Sequence, residues 1–229
     1  MRIGVWNLQG RWDERHRDQL AAMQCDVLLL TEVSERVALP GMELHATTGL
    51  MAQRRRWAAV AARTRVRALE DPHGATAMAE VDGVRFCSSI LPWRSCGTRD
   101  PWVGATSAEK TADAVKCVET VGPTVWGGDW NHALSGREWT GSQAGRRFIL
   151  EAVDRLGLRI PTAASPHQIE GLLSIDHIAI PATWTVSSVE HHPAFVEGAR
   201  LSDHDAYVVE VDPVGDQAAR VGQISQKCV

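Results

Sequence analysis

The chain has 229 residues, of which 44% are hydrophobic and 23% are charged, a composition that fits one globular domain with a sizeable core. Its formal net charge of -4 gives no overall attraction to nucleic acid or to an anionic membrane, so a phosphate-bearing ligand would have to be captured at one local site. The five cysteines show no C-x-x-C spacing, which argues against a disulfide framework and a cysteine zinc site, and we expect them to be reduced and mostly buried.

The start of the chain passes directly from Met1 and Arg2 into a short apolar stretch, without the hydrophobic region of a signal peptide. No apolar run approaches the length that spans a membrane. We therefore expect a cytoplasmic, soluble monomer that does not insert into membranes.

The opening of the chain reads strand, helix, strand. Residues 2–6 and 27–30 are short apolar runs bounded by polar residues, and the polar stretch between them, residues 13–24, is typical of a helix. Three β-prone segments then predict a meander of neighbouring strands, at residues 57–62, 75–81 and 85–91.

Two more helices are marked by their ends. Thr106 and Glu109 form a capping box before a helix that leads into a strand at residues 124–126, and a third helix begins after Ser142 and stops at Gly157. The last strands are predicted at residues 175–180 and 206–211. Strands outnumber helices, so we expect sheet packed on sheet with helices outside, in one catalytic domain over residues 1–212 followed by a flexible tail at 213–229.

Polar groups stand at the ends of five predicted strands, at Asn7, Glu32, residues 128–131, Asp176 and residues 202–204. The first three groups follow their strands and the last two precede theirs, so all five meet at one rim if the last two strands run antiparallel to the others. Carboxylates crowded on one rim repel one another unless a cation lies among them. Oxygen ligands favour Mg²⁺ or Mn²⁺ over Zn²⁺.

In this order the motifs resemble the endonuclease/exonuclease/phosphatase superfamily, which includes deoxyribonuclease-like, metal-dependent phosphoesterases. The resemblance is carried by VWN at 5–7, LLTE at 29–32, GGDWN at 127–131, SIDHI at 174–178 and LSDH at 201–204. Any one of these is weak, whereas five in the family's order are strong together. The resemblance implies an α/β fold, a four-layer αββα sandwich with two mixed β-sheets packed face to face and helices on the outer faces.

The same resemblance implies a set of metal ligands. Glu32 corresponds to the main ligand, and Asp203 to a second carboxylate at the metal or phosphate site. Asn7 and Asp129 complete the expected Mg²⁺ or Mn²⁺ site.

The resemblance also implies catalytic roles. Asp129 would position and deprotonate the attacking water, and Asn7 and Asn131 would orient the phosphate or the nucleophile. His204 would bind a phosphate oxygen while Asp176 holds its ring.

One position departs from the family pattern. Where the family usually has a histidine or tyrosine, this chain has Ile90, in the sequence SSILP at 88–92. A polar contact to phosphate is therefore missing unless Arg94 or His73 replaces it.

The other histidines allow plainer interpretations. His177 alternates with Asp176 along a strand, so its side chain faces the other way and we expect a structural role. His132 either lines the pocket or is a solvated loop histidine. His167, His191 and His192 lack the usual spacing of zinc ligands, so a zinc site is disfavoured.

The only basic concentration spans residues 54–67 and contains six arginines. We interpret it as the solvated face of edge strands rather than as a nucleic-acid surface. Three tryptophans fall in predicted loops, where they either cover the edges of the core or stack on an unpaired base: Trp93, Trp102 and Trp139.

The sequence thus favours a phosphodiester hydrolase that acts as a nuclease by in-line attack of an activated water. The expected partner is a phosphoester substrate, in particular single-stranded or locally opened nucleic acid. Two alternatives stay open: a phosphatase or phosphodiesterase acting on a small-molecule or lipid phosphoester, and a catalytically weakened binding protein on the same fold. Ile90 is the feature that favours the last of these.

Overall fold

The computed structural model describes residues 1–52 and 54–213. Its helices are α1 (Glu14–Ala22), α2 (Ser107–Val121) and α3 (Gln143–Arg155). Its strands are β1 (Arg2–Asn7), β2 (Val27–Ser34), β3 (Glu43–Ala46), β4 (Leu50–Ala52), β5 (Arg55–Ala62), β6 (Val66–Ala68), β7 (Thr76–Val81), β8 (Val84–Ile90), β9 (Val125–Asp129), β10 (Leu158–Arg159), β11 (Asp176–Pro181), β12 (Thr185–His192), β13 (Phe195–Val196), β14 (Ala199–Arg200) and β15 (Ala206–Asp212).

The strands form two large mixed sheets and one small hairpin, β13–β14. The first sheet has the order β12-β15-β1-β2-β5-β3, with β4 also paired to β5, and only β1 and β2 run parallel. The second sheet has the order β10-β11-β9-β8-β7-β6, and only β8 and β9 run parallel. Each sheet therefore contains one parallel pair flanked by antiparallel neighbours.

The centre of the first sheet is buried on both faces, which explains the continuous apolar run of β2. Val27 and Leu29 point into the core between the two sheets, whereas Leu28 and Leu30 pack beneath α1. Side chains alternate across a strand, so a sheet covered on both sides needs apolar residues at every position.

The two remaining helices cover the second sheet. Val115 of α2 and Ile149 of α3 pack in one core cluster with Trp126 of β9. The layers are therefore α1, the first sheet, the second sheet, and α2 with α3. The predicted four-layer αββα sandwich is confirmed.

The helix ends follow the capping signals of the sequence. The Thr106 side chain accepts from the Glu109 backbone N–H (3.2 Å), and α2 ends at Gly122, whose φ of 56° is left-handed. The Ser142 hydroxyl accepts from the Gly145 N–H (3.0 Å) at the start of α3. Asp13 caps α1 in the same way.

The structure departs from the predicted strands in two respects. β2 and β9 continue past their predicted ends, to Ser34 and Asp129, so that Glu32 lies inside a strand rather than after it. The edge strand β12 was not predicted, because its sequence TVSSVEHH contains only two apolar residues. The short strands β3, β4, β10, β13 and β14 were not predicted either, because two to four residues are too few to show a periodic pattern. Residues 214–229, nearly all of the expected tail, lie outside the described residues.

The described cysteines are free thiols, as expected: Cys25, Cys87 and Cys96 are buried and Cys117 is half-buried. Burial raises the pKa of the Cys25 thiol to about 12. Within residues 1–52 and 54–213, no helix combines the length and apolar character needed to cross a membrane.

His177 is a structural residue of β11, in agreement with its alternation. The ring is fully buried, and its Nε2–H donates to the carbonyl oxygen of His132 (2.9 Å). Burial disfavours the charged imidazolium and lowers the pKa of His177 from 6.5 to about 4.

This shift predicts a loss of stability in mild acid. Between pH 6.5 and 4 the unfolded chain binds a proton at His177 that the folded chain does not. The protein therefore keeps its full stability above pH 6.5. As the pH falls from 6.5 to about 4, the free energy of unfolding decreases by roughly 3 kcal/mol, at about 1.4 kcal/mol per pKa unit. Urea denaturation at a series of pH values measures this decrease in the free energy of unfolding.

The matched comparison is His177→Gln, which keeps a side-chain donor but does not titrate. Its unfolding free energy should fall less steeply over the same pH range, whatever its value at neutral pH. Parallel curves for the two proteins would contradict the assignment.

Candidate active site

The predicted polar groups converge because the last strands run antiparallel to their neighbours. β11 pairs antiparallel with β9, and this pairing places Asp176, the first residue of β11, opposite Asp129, the last residue of β9. β15 pairs antiparallel with β1, so His204, just before β15, lies near Asn7, the last residue of β1. The rim is shared by both sheets.

Three side chains form the centre of this site. Ligand atoms of Asp129, Asp176 and His204 all lie within 4.8 Å of one another. The His204 Nδ1–H donates to Asp176 Oδ2 (2.7 Å), and its Nε2 lies 3.9 Å from Asp129 Oδ2. Asp176 thereby fixes the ring so that Nε2 faces Asp129.

Two asparagines orient the Asp129 carboxylate. The Asn131 backbone N–H donates to Oδ1 (3.0 Å), and the Asn7 side-chain amide donates to Oδ2 (3.0 Å). Asn131 has a φ of 51°, a left-handed conformation that asparagine tolerates better than most residues. Its own side-chain amide donates to the Leu91 carbonyl (3.0 Å). Each oxygen of Asp129 therefore has a fixed partner.

Glu32 interrupts the ladder of β2. Thr31 pairs with Ala58 and Val33 with Arg56, while Glu32 has no strand partner and has a φ of 47°. Its Oε1 accepts from the Asn7 side-chain amide (3.3 Å), and Oε2 forms an ion pair with Arg55. A non-glycine residue with positive φ inside a strand is a costly conformation of the kind found at functional sites.

The buried charges perturb each other strongly. Burial, with the charges of Asp176 and Glu32, raises the pKa of Asp129 to about 7, although His204 opposes the shift. Burial alone would lower the pKa of His204, but Asp176 and Asp129 outweigh it and raise the pKa to about 10. The cluster thus combines an imidazolium with a carboxylate that titrates near neutral pH.

The donor set fits a hard divalent cation. It contains carboxylate oxygens of Glu32, Asp129 and Asp176, and Asp176 Oδ1 is buried without a hydrogen-bond partner among the described residues. Such oxygens are the ligands of Mg²⁺ and Mn²⁺. Of the four predicted ligands, Asn7, Glu32 and Asp129 share hydrogen bonds. Asp203 stands apart, with an exposed side chain outside the central cluster.

A cleft of about 230 Å³ opens onto this site. It is lined by Glu32, Met51, Ile90, Trp93, Asp129, Asn131, Thr140 and His204. Met51 and Thr140 were missed by the sequence analysis, because nothing in their local pattern distinguishes them from ordinary loop and edge-strand residues.

Ile90 contributes an apolar wall to the cleft, and neither proposed substitute lines it. His73 is buried, with Nε2 bound to the Pro101 carbonyl (3.0 Å) and Nδ1 accepting from the Ala75 N–H (3.1 Å). Arg94 donates to the Gly141 carbonyl (3.2 Å). Within the described residues the polar contact is therefore not restored at this position.

The tryptophans divide between the core and the cleft. Trp6, Trp126 and Trp130 are fully buried, as expected. Among the loop tryptophans only Trp93 lines the cleft; Trp102 is buried edge-on against Trp93 and Trp57. Trp139 donates to the Leu173 carbonyl (3.2 Å).

The remaining histidines serve structure. His132 is fully buried, with Nδ1 2.7 Å from the Trp130 carbonyl oxygen, so it is neither a pocket residue nor a solvated one. His191 bonds to Asp205 and His192 to Glu190. Neither belongs to the metal-ligand cluster found among the described residues, nor does His167.

The interpretation of the basic segment was wrong for Arg55, which lies beside the active site rather than on a solvated edge. The β2–β5 register pairs Arg55 with Ser34, and its guanidinium reaches back to Glu32. Arg65 and Arg67 are exposed, as expected.

A family model described as the Endonuclease/Exonuclease/phosphatase family matches residues 4–204. Solved structures are similar in fold. A 3'-5' exonuclease, NExo, from Neisseria meningitidis has a TM-score of 0.69 at 18% identity, covering 93% of this chain and 100% of that one. An AP endonuclease from Archaeoglobus fulgidus has a TM-score of 0.68 at 15% identity, with the same coverage.

A structure of the 3' phosphatase NExo from Neisseria bound to product DNA hairpin has a TM-score of 0.67 at 16% identity, covering 93% of this chain and 100% of that one. A comparison with curated proteins gave no match.

The Glu32–Arg55 pair predicts a measurable competition with metal. A cation that binds Glu32 at Oε2 competes with the Arg55 guanidinium, which holds that oxygen. Arg55→Gln should therefore tighten Mn²⁺ binding, roughly fivefold for an ion pair of about 1 kcal/mol. Isothermal titration calorimetry measures it.

Arg56→Gln is the matched control, because Arg56 pairs with Glu35 (2.9 Å) and not with Glu32. Its affinity for Mn²⁺ should equal that of the wild type. Weaker binding by Arg55→Gln would show that the guanidinium supports the metal site instead of competing for it.

Proposed function

The chain belongs to the Endonuclease/Exonuclease/phosphatase family, whose members hydrolyse phosphoester bonds, and we propose that it is a divalent-metal-dependent phosphodiester hydrolase, a nuclease that cleaves DNA or RNA. The observation that carries this proposal is the Asp129–Asp176–His204 cluster at the base of an open cleft. A pure binding protein has no need for three coupled titratable groups aimed at one point.

Asp129 is the proposed general base. Its carboxylate is held by Asn7 and Asn131, so it can accept a proton from water in one fixed direction. Burial and the neighbouring carboxylates raise the pKa of Asp129 above its usual range, which makes it a stronger proton acceptor.

His204 is the proposed phosphate-binding cation. Asp176 keeps the ring protonated and directed, and Nε2–H can donate to a phosphate oxygen as negative charge develops there. The Asp176–His204 pair also holds the positive charge close to Asp129, so the water and the phosphate are brought to the same point.

Glu32, Asn7 and Asp129, which share hydrogen bonds, would hold the metal. Asp203, whose exposed side chain lies outside the central cluster, is the fourth predicted ligand. When bound, Mg²⁺ or Mn²⁺ would neutralise phosphoryl oxygens as a Lewis acid. Asn7 would keep Glu32 and Asp129 at a fixed separation through the two hydrogen bonds of its amide. Asn131 would keep the Asp129 carboxylate turned toward the cleft.

Nucleic acid is the proposed substrate class. One structural relative has been solved with a DNA hairpin product, and Trp93 in the cleft offers a surface on which an unpaired base can stack. The net charge of -4 limits how many phosphates the protein can neutralise, which favours a short single-stranded or locally opened region over a long duplex.

Metal removal tests the proposal. EDTA should abolish hydrolysis, and Mg²⁺ or Mn²⁺ should restore it, because the ligands are carboxylates and amides. The substrates are a supercoiled plasmid, a single strand, an abasic duplex and bis(p-nitrophenyl) phosphate. Glu32→Gln should lose the metal-dependent rate at little cost in stability, whereas Glu151→Gln on the outer helix α3 should retain it.

Full activity in excess chelator would remove the metal from the proposal. Hydrolysis of phosphomonoesters alone would replace the nuclease with a small-molecule phosphatase on the same scaffold.

The proposed roles also predict non-additive kinetics. Asp129→Asn and His204→Ala should each lower kcat by about a hundredfold or more, because each removes a positioned proton acceptor or charge. The double variant should be little slower than the slower single variant, since the two groups act on one transition state. Single-turnover rates measure the three variants, and fully additive losses would contradict the shared role.

A further inference from the structure

A second cavity, of about 580 Å³, lies next to the active site. It is bordered by the segment after β1, the start of α1 and the chain before β15. The residues that line it are Gly10, Arg11, Trp12, Asp13, Arg15, His16, Ser34, Glu35, Arg36, Arg54, Arg200 and Leu201. Nothing in the proposed mechanism uses these residues. We call it the arginine pocket.

The arginine pocket is cationic although the chain is acidic. It has five arginines against two carboxylates, and both carboxylates are engaged: Asp13 with Arg15 (2.7 Å) and Glu35 with Arg56 (2.9 Å). Within the described residues, three of its exposed arginines form no ion pair: Arg11, Arg36 and Arg54. Guanidinium groups converging on one cavity suit a phosphate, which they bind through paired hydrogen bonds.

The pocket and the catalytic cleft share a wall. The Gly10 N–H donates to the Glu32 carbonyl (2.8 Å), and Glu32 lines the cleft. The Arg55 side chain packs directly on Gly10 while pairing with Glu32. On the other side, Arg200 and Leu201 lead into the segment that carries His204. A strand leaving the cleft over Glu32 would therefore enter the arginine pocket.

Trp12 adds an aromatic surface. Its ring is half-buried and packs on His16, with 6.2 Å between ring centroids. Aromatic rings beside cationic groups are what a single strand requires, since its bases stack while its phosphates are neutralised. The cavity volume lies within the range of sites for small organic ligands, so one nucleotide fits.

We propose that the arginine pocket binds a nucleotide of the substrate strand beyond the scissile phosphate, with the arginines on its phosphate and Trp12 against its base. The proposal rests on the proposed function, because it takes the strand to be the one cleaved in the adjacent cleft. It identifies the substrate as a polynucleotide longer than the cleft alone can hold.

The test compares how strongly salt weakens the binding of a single strand to several variants, all of which carry the inactivating Asp129→Asn substitution. The probe is a fluorescently labelled single strand of about ten nucleotides, within the site size usual for such strands. Arg36→Gln/Arg54→Gln should bind more weakly, and the slope of log affinity against log salt should become shallower by up to about 0.7 for each lost phosphate contact. Both arginines are exposed, so the fold should persist.

Arg65→Gln/Arg67→Gln is the matched control. It removes the same charge from exposed positions on and before β6, at the edge of the second sheet. Its slope and affinity should equal those of the Asp129→Asn parent. An equal change of slope in both double variants would show only a general effect of charge and would contradict the proposal. An unchanged slope in Arg36→Gln/Arg54→Gln would show that the arginine pocket does not bind the strand.

Assays of hydrolysis by the wild-type protein distinguish a failure of the nucleotide-pocket proposal from a failure of the proposed function. Metal-dependent hydrolysis of bis(p-nitrophenyl) phosphate with no binding of the single strand would overturn the nucleotide pocket and leave a phosphodiesterase. Cleavage of the strand with an unchanged slope in the pocket variant would also overturn the pocket but leave the nuclease intact. Loss of all metal-dependent hydrolysis would overturn the proposed function.

Discussion

The approach of Asp129 and Asp176 to within a few ångströms is the interaction on which the rest of the site depends. Their strands, β9 and β11, are antiparallel neighbours, so the end of one chain segment is forced against the start of the other. Two carboxylates in that position repel each other and resist burial. His204 relieves the repulsion because it carries a positive charge between them, and the amide of Asn7 donates to the same Asp129 oxygen, Oδ2, that His204 faces.

Strain accompanies this arrangement. Glu32 and Asn131, both oriented toward the cleft, have left-handed backbone conformations, and Gly128 has a φ of 124° that leaves no room for a side chain against Ser89. Such conformations persist only when the surrounding core determines them. Here the strands are buried between two apolar layers, so the sandwich stabilises a rim that would not hold its shape alone.

The sequence predicted the layers and most of the polar rim, because both follow from local patterns. The apolar run of β2 and the capping box of α2 are signals of this kind. Arg55 was misplaced because its contact with Glu32 depends on the register of β5 against β2, which no local pattern encodes. The arginine pocket was missed for the same reason, since it collects residues from four separate segments. The predicted ligand role of Asp203 stays a prediction.

The central position of β1 has a consequence for biosynthesis. One of the two neighbours of β1 is β15, and the Met1 amino group donates to the carbonyl of Val211, 210 positions later. During synthesis this edge of β1 stays unpaired until β15 has emerged from the ribosome. Chains released before that point lack both the closing strand and His204, and they expose a sheet edge that invites aggregation.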